Sequence, residues 1–173
     1  MRIAVSGIDE TIKRLEAYKK NMPDKQHKFL EKLAAIGIDV ASVEFKTAQY
    51  DGTNDVVVKP VPEWDGENRL YIAANGHAVT FIEFGTGVVW AEEHEKAAEL
   101  GMVRGAFGQG KGSDPDGWTY YGEAGSFGQL VRQSDEGNVY RTYGNPPARA
   151  MYLASKEMRT RIAELAREVF YGD

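Results

Sequence analysis

Two long stretches of this chain repeat their apolar residues every three or four positions, and that period commits both to helix. In the first, Asp9 can cap a helix start with Ile8 just before it, and Ile12, Leu15, Tyr18 and Met22 follow. Pro23 interrupts, because proline lacks a backbone donor and crowds the preceding turn. The pattern resumes with Phe29, Leu33, Ile36, Val40 and Val43, at steps of four, three, four and three, while Lys28, Glu31, Lys32 and Asp39 lie opposite. This predicts a long helix over 9–48, kinked or broken near Pro23, whose apolar stripe must be covered by something. The second stretch carries Met151, Ala154, Met158, Ile162, Leu165 and Val169 on one face, with Lys156, Arg159, Glu164 and Arg167 elsewhere. Gly144-Asn145-Pro146-Pro147 precedes it as a stop-and-start signal, proline being tolerated in a first helical turn. A C-terminal helix over about 147–171 follows.

Between the helices the period changes. After the turn Asp51-Gly52-Thr53-Asn54, the segments Val56-Val57-Val58, Arg69–Ala74 and Ala78–Phe84 are short and rich in β-branched or aromatic residues. Asn75-Gly76 between two apolar runs is a hairpin signal. The expected class is therefore α+β: a small antiparallel sheet of three to five strands packed with the two helices. Residues 85–145 read differently. Ala91–Leu100 has the composition of a short helix ended by Gly101, and nine glycines then fall from Gly101 to Gly128, among Trp118, Tyr120, Tyr121 and Phe127. We read 88–143 as a flexible insertion in a single domain of 1–173. One alternative orders it on a partner; the other makes it a pair of extra strands, Trp118–Tyr121 and Asn138–Thr142.

Composition narrows the chemistry. At 173 residues, 42% hydrophobic and 27% charged, the chain can bury a core. It has no cysteine, which removes disulfides, thiolate catalysis and cysteine-held metals. A net charge of −5 argues against a general DNA-binding surface. No apolar run approaches the roughly 18 residues of a membrane span, and Met1–Ser6 is too polar for a signal peptide. Neither membrane insertion nor export is expected.

Three near-matches to catalytic motifs fail on chemistry. Gly105–Gly112 has the glycines and Lys111 of a phosphate loop, but Gly112 stands where a magnesium-binding hydroxyl belongs. His94-Glu95-Lys96-Ala97-Ala98 lacks the second histidine of a zinc-protease helix, which makes His94 a solvated residue of a charged helix. Asp114-Pro115-Asp116-Gly117 lacks the spacing of a calcium loop and has the composition of a tight turn. His27, His77 and His94 are spread over a helix, a turn and a charged segment, so no metal, cofactor or catalytic residue is expected.

What remains is Phe81-Ile82-Glu83-Phe84-Gly85-Thr86-Gly87, then Gly144-Asn145-Pro146-Pro147-Ala148-Arg149-Ala150-Met151, then the last helix. In this order, after a long first helix, the chain resembles the neck and tail-completion proteins of long-tailed bacteriophages and prophages, also described as head–tail joining or head-closure components. Their hallmark is a strand ending in aromatic-Glu-Phe-Gly-Thr-Gly, followed later by a Pro-containing turn that opens the last helix. Where many members carry a phenylalanine, this chain has Arg149-Ala150-Met151.

The resemblance implies a non-enzymatic virion protein, made in the host cytoplasm and located at the head–tail joint. It implies a homo-oligomeric, hexameric ring that contacts a head-completion (stopper) or connector protein on one side and the tail tube protein on the other, with DNA passing through unread. A tail terminator or minor capsid protein is the near alternative. A nucleotide-binding or hydrolytic enzyme using Gly105–Gly112 is the alternative from another class. Within this frame Glu83, beside Phe84 at a strand end, is expected to make an inter-subunit salt bridge or an anchoring hydrogen bond, unless it is an ordinary solvent-facing strand residue. Gly85 and Gly87, on either side of Thr86, are expected to permit a tight turn with positive φ. Trp118, Tyr120, Tyr121 and Phe127 are either partner-contact anchors or the small core of the insertion. Pro146, Pro147 and Met151 complete the interface and structural candidates.

Overall fold

A computed structural model describes residues 8–87, 90, 93–102 and 117–172. The first helix, α1, spans Ile8–Thr47 and runs unbroken through Pro23. An interior proline costs about 3 kcal/mol relative to alanine, and contacts to the rest of the chain begin immediately after it. The Lys25 ammonium donates to the Phe170 carbonyl at 3.1 Å, the Gln26 amide bonds Asn68 at 2.9 Å, and the His27 ring lies 4.6 Å from that of Trp64. Before Pro23, residues 8–21 of the helix are all exposed.

The chain then forms two antiparallel two-stranded ribbons. In one, β1 (Val57–Val58) pairs with β4 (Ala74–Asn75); in the other, β2 (Glu63–Trp64) pairs with β3 (Leu70–Tyr71). Asn75-Gly76 does not close a hairpin into a further strand. Residues Val79–Phe84 are a short helix, α2, despite their β-branched and aromatic composition. The Asp55 carboxylate explains this: it accepts from the backbone N–H of His77 and of Ala78, at 2.8 and 2.9 Å, and so satisfies donors at the helix start. Helical spacing also puts Ala78 and Ile82 on one buried face, against Ala41 and Phe45 of α1. Tertiary packing overrides a weak local preference here.

A three-stranded antiparallel sheet follows, in the order β5 (Trp118–Tyr121), β7 (Gly137–Thr142), β6 (Gln129–Ser134). The extra strands expected within the insertion are thus present, with β6 added. The last helix, α3, spans Ala150–Ala166 and widens into a π-type turn over Arg167–Tyr171. It packs against α1 through small residues. Ala41 meets Ala150 and Ala154 in the core, and a Cβ on Gly37 would lie 2.7 Å from the Met158 sulfur. The class is α+β, with helices from both ends of the chain enclosing α2 and the sheet pieces arranged around them.

Candidate functional site

The two motif segments, far apart in sequence, are bonded to each other. Thr86 and Asn145 exchange backbone hydrogen bonds at 2.9 and 3.2 Å, Ala148 N–H donates to the Ile82 carbonyl at 2.8 Å, and Arg149 N–H donates to the Glu83 carbonyl at 3.1 Å. The approach is close enough to demand glycine: a Cβ on Gly87 would lie 2.1 Å from the Tyr143 carbonyl oxygen, and one on Gly144 2.0 Å from that of Thr86. Gly85 and Gly87 have φ of 75° and 87°, as a tight turn requires.

Glu83 is neither at a strand end nor solvent-facing. It lies in α2, is 5% exposed, and its carboxylate accepts from the backbone N–H of Met151 at 2.8 Å and of Tyr152 at 3.0 Å. A side chain from α2 therefore caps α3, whose own N-cap residue, Arg149, provides no side-chain cap. The negative charge also faces the positive end of the helix dipole. His94 approaches the same carboxylate, with Nε2 3.3 Å from Oε1. The Nδ1 of His94 accepts from Lys96 N–H at 3.0 Å. A backbone N–H can only donate, so Nε2 carries the ring proton and points it at Glu83. His94 is 4% exposed, which corrects the expectation of a solvated residue, and residues 94–101 form tight turns rather than a continuous helix. The rings of Phe84 and Tyr152 enclose His94 at 4.5 and 5.4 Å. Arg149 holds this segment from the other side, donating to the Glu93 carbonyl at 2.6 Å and approaching the Glu95 carboxylate at 3.2 Å. Its φ of 59° is a left-handed value, uncommon away from glycine.

A second polar cluster joins the sheet to this junction. Asp51 lies in the turn after α1 and accepts from the backbone N–H of Phe127 and of Gly128, and from the Thr142 hydroxyl. Its own N–H donates to Asn145 Oδ1 at 2.7 Å, and the Asn145 amide donates in turn to the Thr86 hydroxyl at 3.1 Å. Among the described residues the buried polar and charged side chains are Asp51, Glu83, Thr86, His94, Thr142 and Asn145. All six belong to this one junction, and each is bonded within the chain. Buried polar groups satisfied in this way rigidify and specify a structure; free groups converging on a cleft are what a reaction needs.

Pro146, Pro147 and Met151 sit half-buried at the same junction, so it gathers the candidates from Glu83 to Gly87 with those of the last turn. The insertion aromatics are brought elsewhere. Tyr120 stacks against Tyr140 at 5.8 Å, and its hydroxyl accepts from Gly125 N–H at 3.2 Å. Trp118 is half-buried, while Tyr121 and Phe127 are 62% and 38% exposed. The insertion has a small core, and two of its four aromatics face outward. The Gly105–Gly112 loop and Asp114–Asp116 lie outside the described residues.

Sequence reading missed His94, Asp51, Thr142 and Asn145. Only Asp51 and Asn145 carried a signal, as turn formers, and nothing local reveals that they face each other across 94 positions.

A cleft of about 270 Å³ between Tyr50, Thr53, Asp55, His77, Ala78 and Phe81 holds a carboxylate pushed far from its usual range. The N–H groups of His77 and Ala78 lower Asp55 from 3.8 to about 2, so this group stabilises α2 as a permanent anion and makes a poor proton acceptor. Burial raises the neighbouring Tyr50 hydroxyl, with smaller contributions from Asp55 and Asp51. No group of three or more His, Asp or Glu positioned to hold a metal occurs among the described residues. None of their helices is long and apolar enough to cross a membrane. Comparison with known families, curated proteins and solved structures returned no match to this chain.

Proposed function

We propose that this chain is a structural subunit of a bacteriophage head–tail joint, of the neck or tail-completion type. In this reading it assembles into a ring between the connector or stopper and the tail tube and lets DNA pass without reading it. The observation that carries the proposal is the junction. The two segments on which the resemblance rests, 81–87 and 144–151, form one tightly bonded unit whose polar groups are occupied in seating α3. That is the use a structural protein makes of them. A net charge of −5 suits a channel along which DNA slides, since affinity for DNA follows cationic contacts to phosphate. The apolar side chains left outside the core, on the first half of α1 and on β6, suit a protein whose surfaces are completed by neighbours.

The test is deletion of the gene from its parent phage or prophage, followed by electron microscopy of the lysate. Filled heads and separate tails that fail to join are expected, with joining restored by adding the purified protein. Joined particles in undiminished yield overturn the proposal. So does a protein that stays monomeric with every neck and tail partner while binding nucleotide tightly.

A further inference from the structure

Residues 93–102 form a strap laid over the junction. Its backbone hydrogen bonds are local: Ala97 N–H donates to the His94 carbonyl at 2.9 Å, Leu100 N–H to that of Lys96 at 3.1 Å, and Met102 N–H to that of Ala97 at 2.8 Å. Among the described residues, no backbone-to-backbone bond joins it to α1, α2, α3 or the sheet, whereas the two motif segments beneath it are tied to each other in that way at Thr86, Ala148 and Arg149. Within the strap His94 and Ala97 are buried and Met102 is half-buried; the rest is exposed. A segment with local bonds and little buried apolar surface lies at the low end of the range of stabilities within a fold.

Side chains hold the strap down. His94 Nε2 reaches Glu83 Oε1 at 3.3 Å, a long hydrogen bond, and the ring lies against Phe84 and Tyr152. Arg149 donates to the Glu93 carbonyl at 2.6 Å. Its contact with the Glu95 carboxylate joins two side chains that are 36% and 46% exposed, where water screens the charges and the pair adds little. Arg149 makes these contacts from a left-handed backbone that glycine adopts without cost. The cap of α3 needs none of them. Glu83 holds the N–H groups of Met151 and Tyr152 at 2.8 and 3.0 Å, and both bonds lie within the body beneath the strap.

We infer that the strap undocks as a unit while α3 stays capped and the body stays folded. Opening lifts His94 from Glu83, releases Arg149, and uncovers Phe84 and Tyr152 beside a carboxylate that still holds two backbone donors. The imidazole N–H and the Glu83 oxygen both find water once apart, so parting them costs far less than stranding either one in the core. The junction therefore has two layers, a permanent cap and a removable cover, and one rigid body presents a closed and an open face. The device belongs to a single subunit and does not depend on the ring proposal.

Diethyl pyrocarbonate, which acylates accessible imidazole, reads the opening on the intact chain, with fully exposed His77 as the internal control. His94 should react more slowly than His77, at a rate that low urea leaves unchanged, while hydrogen exchange shows the Met151 and Tyr152 amides still protected. Arg149→Gly removes the outer contacts and suits the left-handed backbone. It should speed acylation of His94 about tenfold and leave the Met151 and Tyr152 amides and the urea midpoint where they were. The inference is overturned if His94 reacts only in step with global unfolding, or if the Met151 and Tyr152 amides exchange in step with it. It is equally overturned if His94 reacts as fast as His77, or if Arg149→Gly leaves its rate unchanged. The comparison in the parent chain stands even if the variant fails to fold.

Discussion

Glu83 shows how one side chain can govern an element it does not belong to. Its carboxylate supplies the acceptors that the first turn of α3 lacks, and it also receives the ring proton of His94. Replacing Glu83 with alanine leaves two backbone donors and an imidazole donor buried without partners. The expected cost is about 3–4 kcal/mol in denaturant unfolding. Glu83→Gln keeps the size and one acceptor oxygen and should lose about half as much. An alanine variant within about 1 kcal/mol of the parent would remove the cap from the account. Asp55 does the same for α2, in the open. Its folded pKa of about 2 lies below its ordinary 3.8, so the carboxylate stabilises the fold above about pH 4. That contribution drains away as pH falls from 4 through 2. Thermal melts over that range should show a slope that Asp55→Asn flattens; parallel curves would contradict the assignment.

Among elements, the long helices were legible because a period of 3.6 sustained over many turns has no other reading. The Ala78–Phe84 segment misleads because its composition favours strand and six residues are too few to show a period. What decides it is a carboxylate more than twenty positions upstream and a core shared with α1, neither visible in the local sequence. Close approach also means different things at different glycines. At Gly144, a φ of 107° and the Thr86 carbonyl oxygen both oppose a side chain, so Gly144→Ala should cost about 3 kcal/mol or more. At Gly37 the obstacles are the tips of Ile72 and Met158, which can swing away, and alanine improves helix propensity by about 1 kcal/mol. Gly37→Ala should therefore stay within about 1 kcal/mol of the parent in the same unfolding assay. Equal losses at the two positions would mean that the junction is no tighter than the helix packing.

At the scale of the molecule, the sequence shows an α+β chain bounded by two amphipathic helices and hides how its middle is stitched to its end. The segments that carry the resemblance can be found by eye, but not the fact that they touch, because a backbone exchange between Thr86 and Asn145 leaves no mark on either residue type. The same holds for Asp51, which reads as an ordinary turn former and in the fold holds Phe127, Thr142 and Asn145 in place. Packing partners at long sequence separation are set by shape, and shape is not written in a local pattern.

The core joins Phe45, Ile82 and Ala154, which lie at three distant points along the chain. A polypeptide emerging from the ribosome therefore displays its first helix long before α3 arrives to close the body. During that interval the face of α1 that carries Ala41 and Phe45 has no partner from α3. Closure of the core therefore waits for the last helix, and a chain cut short before it would leave that face of α1 bare.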